Sequence, residues 1–158
     1  MSAMSYAMAD KYHAMQRAYR RLKVISTDNG PNIDNMDAKD LTEAFFTQCY
    51  HFKDWIINET GATDVEKFIN KTAPLRIAAD YCNSMKHAGL NRPPRAGADI
   101  TQVLTHMRID FEPRGAVTSA QVEIHLGAKK YNAFKLASDC LAAWDRYLTI
   151  AGIVIPTP

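Results

Sequence analysis

Residues 79–90 read "ADYCNSMKHAGL". With Arg76 just upstream, Asp80, Asn83 and His87 recur at intervals of four, three and four, which sets all of them on one side of an α-helix. Pro74 falls in the first turn of that helix, where a missing N–H is tolerated, and Thr72 is its expected cap. Leu75, Ile77, Ala78, Tyr81, Cys82 and Met85 supply the core face. A helix that aligns a guanidinium, a carboxylate, an amide and an imidazole builds an active site, ties a structural network together, or presents a wet surface.

Upstream, residues 3–24 read as a first helix, with Met8, Tyr12, Met15, Tyr19 and Leu22 on one face and His13, Arg17, Arg20 and Arg21 on the other. "STDNGPN" at 26–32 is a loop. A second helix spans about 38–59, with Asp37 as N-cap and Leu41, Phe45, Cys49, Phe52 and Ile56 as its main stripe. Phe46, Tyr50, Trp55 and Ile57 widen that stripe, so this helix belongs at the centre of the molecule. "TDVE" at 63–66 has the form of a capping box and opens a short third helix.

Downstream, "GLNRPPRAG" at 89–97 is a basic, proline-rich loop. The period then changes from helical to two. In "VLTHMRIDF" (103–111), Val103, Thr105, Met107, Ile109 and Phe111 alternate with Leu104, His106, Arg108 and Asp110; in "AQVEIHL" (120–126), Val122, Ile124 and Leu126 alternate with Gln121, Glu123 and His125. A β-hairpin at about 102–127 follows, laid by its apolar face on the helices because a lone hairpin is marginal. His106 and His125 are expected to face water. A last helix runs from about 133 to 150 behind Asn132 as cap, and the tail 154–158 is expected to be loose. The fold class is mainly α: a bundle of four to five helices with one hairpin before the C-terminal helix, in a single domain over 1–158.

With 158 residues the chain can bury a core without disulfides or metal. The net charge of +2 gives no global attraction to nucleic acid, so any such binding must come from local patches. Cys49, Cys82 and Cys140 are an odd, widely spaced set inside helical patterns, which argues for buried reduced thiols in a cytoplasmic protein. No signal peptide or membrane-spanning run is visible, and "IAGIVI" is too short to cross a bilayer.

"CNSMKH" at 82–87 resembles the signature helix of HEPN proteins, whose pattern is Arg, four to six residues, then His, often with Asn directly after the Arg. Asn83 and His87 match that Asn and His, while Cys82 stands where the motif has its arginine. The order of an aromatic-rich helix ("FFTQCYHFKDWI"), the motif helix and a closing amphipathic helix is also similar to that superfamily across the whole chain. The resemblance implies a helical bundle, often dimerised through the motif helix. In active members two motifs meet across the dimer and cut RNA without a metal, the His moving protons and the Arg and Asn holding the phosphate. Inactive members are binding or scaffold domains, often paired with nucleotidyltransferase-like partners or found in defence and toxin–antitoxin systems.

Cleavage of RNA through its 2′-OH needs a proton acceptor, a stabiliser for the developing phosphorane charge and a proton for the leaving oxygen. His87 fits the proton work, with Asn83 beside it. A guanidinium suits the phosphate best, and Cys82 cannot supply one. Substitutes are Lys86, which projects about 100° away around the helix, and Arg76, about 16 Å along the axis from His87 but able to approach it from a second antiparallel copy. Arg92 and Arg95 in the following loop are a third source. Asp80 either supports the site or forms an i,i+4 pair with Arg76. Asn83 and His87 read equally as a hydrogen-bonded structural or dimer-interface pair.

His51 and Asp54 on the second helix support the site, or join Asp80 and His87 in a metal cluster of the kind bundles host, although no paired Glu-x-x-His is present. No cofactor is expected. The basic face of the first helix, with Lys23 nearby, either tracks phosphates or is merely solvated. The expected partners are a second copy, RNA and a partner protein, with no membrane. The leading expectation is an RNA-binding or metal-independent endoribonuclease-type domain with a degenerate motif; the competing one is a non-catalytic dimerisation and interaction module.

Overall fold

The computed structural model describes residues 6–27, 35–87 and 92–158. In chain order these are α1 (Tyr6–Thr27), α2 (Asn35–Thr60), α3 (Val65–Lys71), α4 (Ala73–His87), β1 (Ile100–Glu112), β2 (Gly115–Leu126), β3 (Lys129–Asn132) and α5 (Ala133–Ile150). The described residues are therefore mainly helical with a small antiparallel sheet, as the periodicities require. The expected loop at 26–32 lies outside the described residues from position 28, as do positions 3–5 of the first helix and 89–91 of the proline-rich loop.

α2 is the axis of the core. Phe45, Phe46, Phe52 and Ile56 are fully buried along it. Trp144 of α5 meets Phe52 edge-on, with ring centroids 5.4 Å apart, and its indole N–H donates to the Cys49 carbonyl at 3.0 Å. Tyr19 of α1 stacks on Phe134 of α5. Polar side chains tie the same helices at their edges: Tyr12 donates to Asp145, and the backbone N–H of Met8 donates to Glu59 at 2.6 Å. That carboxylate sits at the N-terminal turn of α1, where exposed amides attract negative charge. No helix among the described residues is long and apolar enough to cross a membrane.

Several expected details change. Asp37 lies inside the first turn of α2 rather than before it. The capping box at 63–66 is not formed: Asp64 is the N-cap of α3 and makes no side-chain cap bond. Its carboxylate accepts from Tyr147 at 2.7 Å instead, and Glu66 is engaged elsewhere. The Thr72 hydroxyl closes α3 by donating to the Phe68 carbonyl rather than capping α4. Asn132 does cap α5, accepting from the Lys135 amide at 2.9 Å. Met85 is exposed rather than in the core. The tail is held by Ile155, which packs against the core, and by a 2.8 Å contact between His13 Nε2 and the Pro156 carbonyl, beyond which Thr157 and Pro158 are exposed.

The expected hairpin is a three-stranded sheet of order β1-β2-β3. Gly127, at φ 58°, turns the chain from β2 into β3, a left-handed conformation that favours glycine. The apolar face follows the predicted alternation, but only its base rests on the helices. Ala120, Val122, Ile124 and Leu126 are buried, whereas Met107, Ile109 and Phe111 are 38%, 56% and 87% exposed. Period two identifies a face; it carries no information on how far the supporting helices reach. His106 is exposed as expected, but the ring of His125 is largely covered and bonded to Glu123.

Candidate functional site

α4 turns its polar stripe in more than one direction. Asp80 is 2% exposed. Its two carboxylate oxygens accept the backbone N–H groups of Arg95, at 3.0 Å, and Ala96, at 2.8 Å. The carboxylate thus pins the loop after α4 to the helix. The expected Arg76–Asp80 ion pair does not form; Arg76 is half-buried, and its Nε is buried with no hydrogen-bond partner among the described residues.

The loop so held presents Arg95 to the other helices. Its guanidinium donates to Glu66 at 2.8 Å, to the Asn70 side-chain carbonyl at 3.1 Å and to the Tyr50 hydroxyl at 3.1 Å. It also lies over the Tyr50 ring, 5.6 Å from the centroid, and the Lys53 ammonium lies 4.7 Å from the same ring. Lys53 completes the cluster by pairing with Glu66. Burial would raise the Glu66 carboxyl, but hydrogen bonds from Lys53 and Arg95 outweigh it and hold the group below the usual glutamate range. Residues from α2, α3 and the loop therefore meet in one clasp. No sequence pattern signals it: Tyr50 and Lys53 read as parts of an aromatic helix, Glu66 reads as a cap, and periodicity does not trace the return path of a loop.

The second cluster surrounds Cys82. Its Sγ lies 3.7 Å from His51 Nε2, and His51 Nδ1 lies 3.2 Å from Asp54 Oδ2. A carboxylate, an imidazole and a thiol in line have the connectivity of a nucleophilic relay. Accessibility and acidity oppose that use. Cys82 is 5% exposed, and burial pushes its thiol up despite a hydrogen bond with Thr47 and the nearby Lys86 charge. The cleft beside it, about 220 Å³, is lined by Lys11, Thr47, Gln48, His51, Phe52 and Trp55 and not by Cys82. The thiol behaves as a packed side chain, the inert class of cysteine.

Asn83 is half-buried, Lys86 and Arg92 are exposed, and His87 is the last residue of α4, its side chain lying outside the described residues. Among the described residues no three His, Cys, Asp or Glu side chains are grouped to hold a metal. On α1, Arg17, Arg20, Arg21 and Lys23 are exposed, while His13 is turned to Gln16 and Pro156. A larger cleft, about 410 Å³, opens between the first turns of α4 and α5, floored by Ile77 and Leu136 and rimmed by Lys130 and the Lys135–Asp139 pair. Sequence reasoning missed it because it depends on where β3 runs. Compared with protein-family models, with curated proteins and with solved structures, the chain matches none.

Proposed function

We propose that this chain is a non-catalytic, HEPN-like interaction module that works by self-association or by binding a partner protein. The observation that carries the proposal is the inward use of the motif helix. Where the HEPN pattern has a phosphate-binding arginine, this chain has Cys82, buried against His51. The stripe's carboxylate, Asp80, is consumed by two backbone amides. Arg95, one of the substitute guanidiniums, already donates to Glu66, Asn70 and Tyr50. A guanidinium so engaged would have to abandon charge-assisted bonds before it could meet a phosphate. Stabilising developing charge is usually the largest catalytic contribution, so a motif whose arginine position holds a buried thiol lacks the group that supplies most of the rate.

The alternative is metal-independent cleavage of RNA, with Asn83 and His87 at the centre and Lys86, Arg92 or Arg76 holding the phosphate. The test is the purified protein against single-stranded RNA with and without EDTA, beside His87→Ala. The proposal expects identical, background cleavage from both. Cleavage by the parent that His87→Ala abolishes overturns it in favour of the nuclease, and cleavage that EDTA abolishes overturns it in favour of a metal enzyme.

A further inference from the structure

β1 is an edge strand: β2 pairs with one side of it, and among the described residues no strand pairs with the other. Unpaired edges template further strands, and proteins protect them with short edge strands, charged side chains (lysine above all), proline or bulges; the charges of β1 matter here only if a partner cannot match them. β1 has 13 residues, contains neither lysine nor proline, and has its only irregularity at its base, between Ile100 and Gln102. Its outer half, residues 106–112, is exposed at every position except Asp110.

That half is also complementary to itself. In an antiparallel pair about a two-fold axis, residues equidistant from the axis face one another. With the axis at Ile109, Arg108 faces the second copy's residue 110, an aspartate, and His106 faces residue 112, a glutamate. On the other face Met107 lies opposite residue 111, a phenylalanine, and Ile109 lies opposite itself. Arg108 and Asp110 each meet their opposite charge, Glu112 meets an imidazole that can donate to it, and every apolar side chain meets an apolar one. Moving the axis by one residue, to Arg108 or Asp110, sets two like charges face to face. Within one chain Arg108 Nε already contacts Asp110 Oδ2 at 2.8 Å, so both groups stand on the same face, ready to form a four-charge square. The axis is normal to the sheet, so the exposed Met107, Ile109 and Phe111 of both copies form one apolar strip on one side.

We infer that two copies of this chain join through their β1 edges, antiparallel about Ile109, into one continuous six-stranded sheet, which deepens the interaction-module proposal by naming a second copy as the partner and β1, not the motif helix, as the contact. An edge pairing of this size belongs to the small, concentration-dependent class of interface.

The test uses the full chain and two exposed substitutions, Arg108→Asp and Asp110→Arg, with folding checked by circular dichroism. Sedimentation analysis over a range of concentrations should give a dimer for the parent. Each variant alone faces its own like charges and should dimerise at least about tenfold more weakly. An equimolar mixture of the two variants puts Asp against Arg at both positions and should restore a 1:1 heterodimer. That rescue cannot come from the intrachain pair, which is broken in both variants. A monomeric parent at all concentrations, variants that dimerise like the parent, or a mixture no tighter than its components each overturn the inference. RNA cleavage would overturn the module proposal and leave these results as they stand.

Discussion

The amides of Arg95 and Ala96 have no hydrogen-bond partner but Asp80 among the described residues. Removing that carboxylate leaves two covered donors unpaired, which costs far more than the net value of one bond. Asp80→Ala should therefore lose about 2 kcal/mol, read as a lower urea midpoint at unchanged m-value. Asp80→Asn keeps one accepting oxygen and should fall between. At the same scale, Cys49, Cys82 and Cys140 are all buried, and burial holds Cys82 and Cys140 above the usual thiol range. All three should react slowly with a thiol reagent near pH 8 in the folded chain and rapidly in denaturant. A fast-reacting Cys82 in the native protein would restore the relay with His51 and Asp54. The sequence placed Asp80 and Cys82 on α4 without error, but not their partners: 3.6-residue periodicity gives a side chain's direction around its own helix and says nothing about the amide or imidazole that meets it.

Among the helices, the caps separate what a motif suggests from what the backbone uses. Asn132 caps α5 with a side-chain bond, so Asn132→Ala should cost about 1 kcal/mol. Thr63 has the sequence of a cap and no such role in α3, so Thr63→Ala should stay within about 0.5 kcal/mol of the parent. Thermal unfolding of the two variants side by side checks the difference. The five helices and the two long strands were legible because each repeats its pattern over many residues. β3 was not: four residues, Lys129–Asn132, are too few to show a period. The overhang of the hairpin was invisible for a different reason, since alternation continues unchanged where the supporting helices stop.

For the molecule as a whole, the Lys53–Glu66–Arg95 clasp joins α2, α3 and the loop after α4. Glu66 has a folded pKa below its ordinary value, so its contribution to stability is fully present above the usual glutamate range and is lost as pH falls through the lowered folded value. Glu66→Gln should flatten the acid limb of the stability–pH curve while leaving its shape near neutrality, measured by urea unfolding from about pH 7 to pH 3. The candidate site as a whole was only partly legible. The stripe on α4 was correctly read as one helix, yet its groups serve different neighbours, because a loop folded back onto it and took the carboxylate.

Asp80 grips main-chain N–H groups, not side chains, and this sets what the loop can tolerate. The grip takes no account of the Ala96 side chain, which packs against the core, whereas proline at 95 or 96 would delete a donor outright. Pro93 and Pro94 stop one residue short of that limit. The loop's prolines must therefore keep their register, and Arg95 is fixed besides by its own side-chain bonds to Glu66, Asn70 and Tyr50.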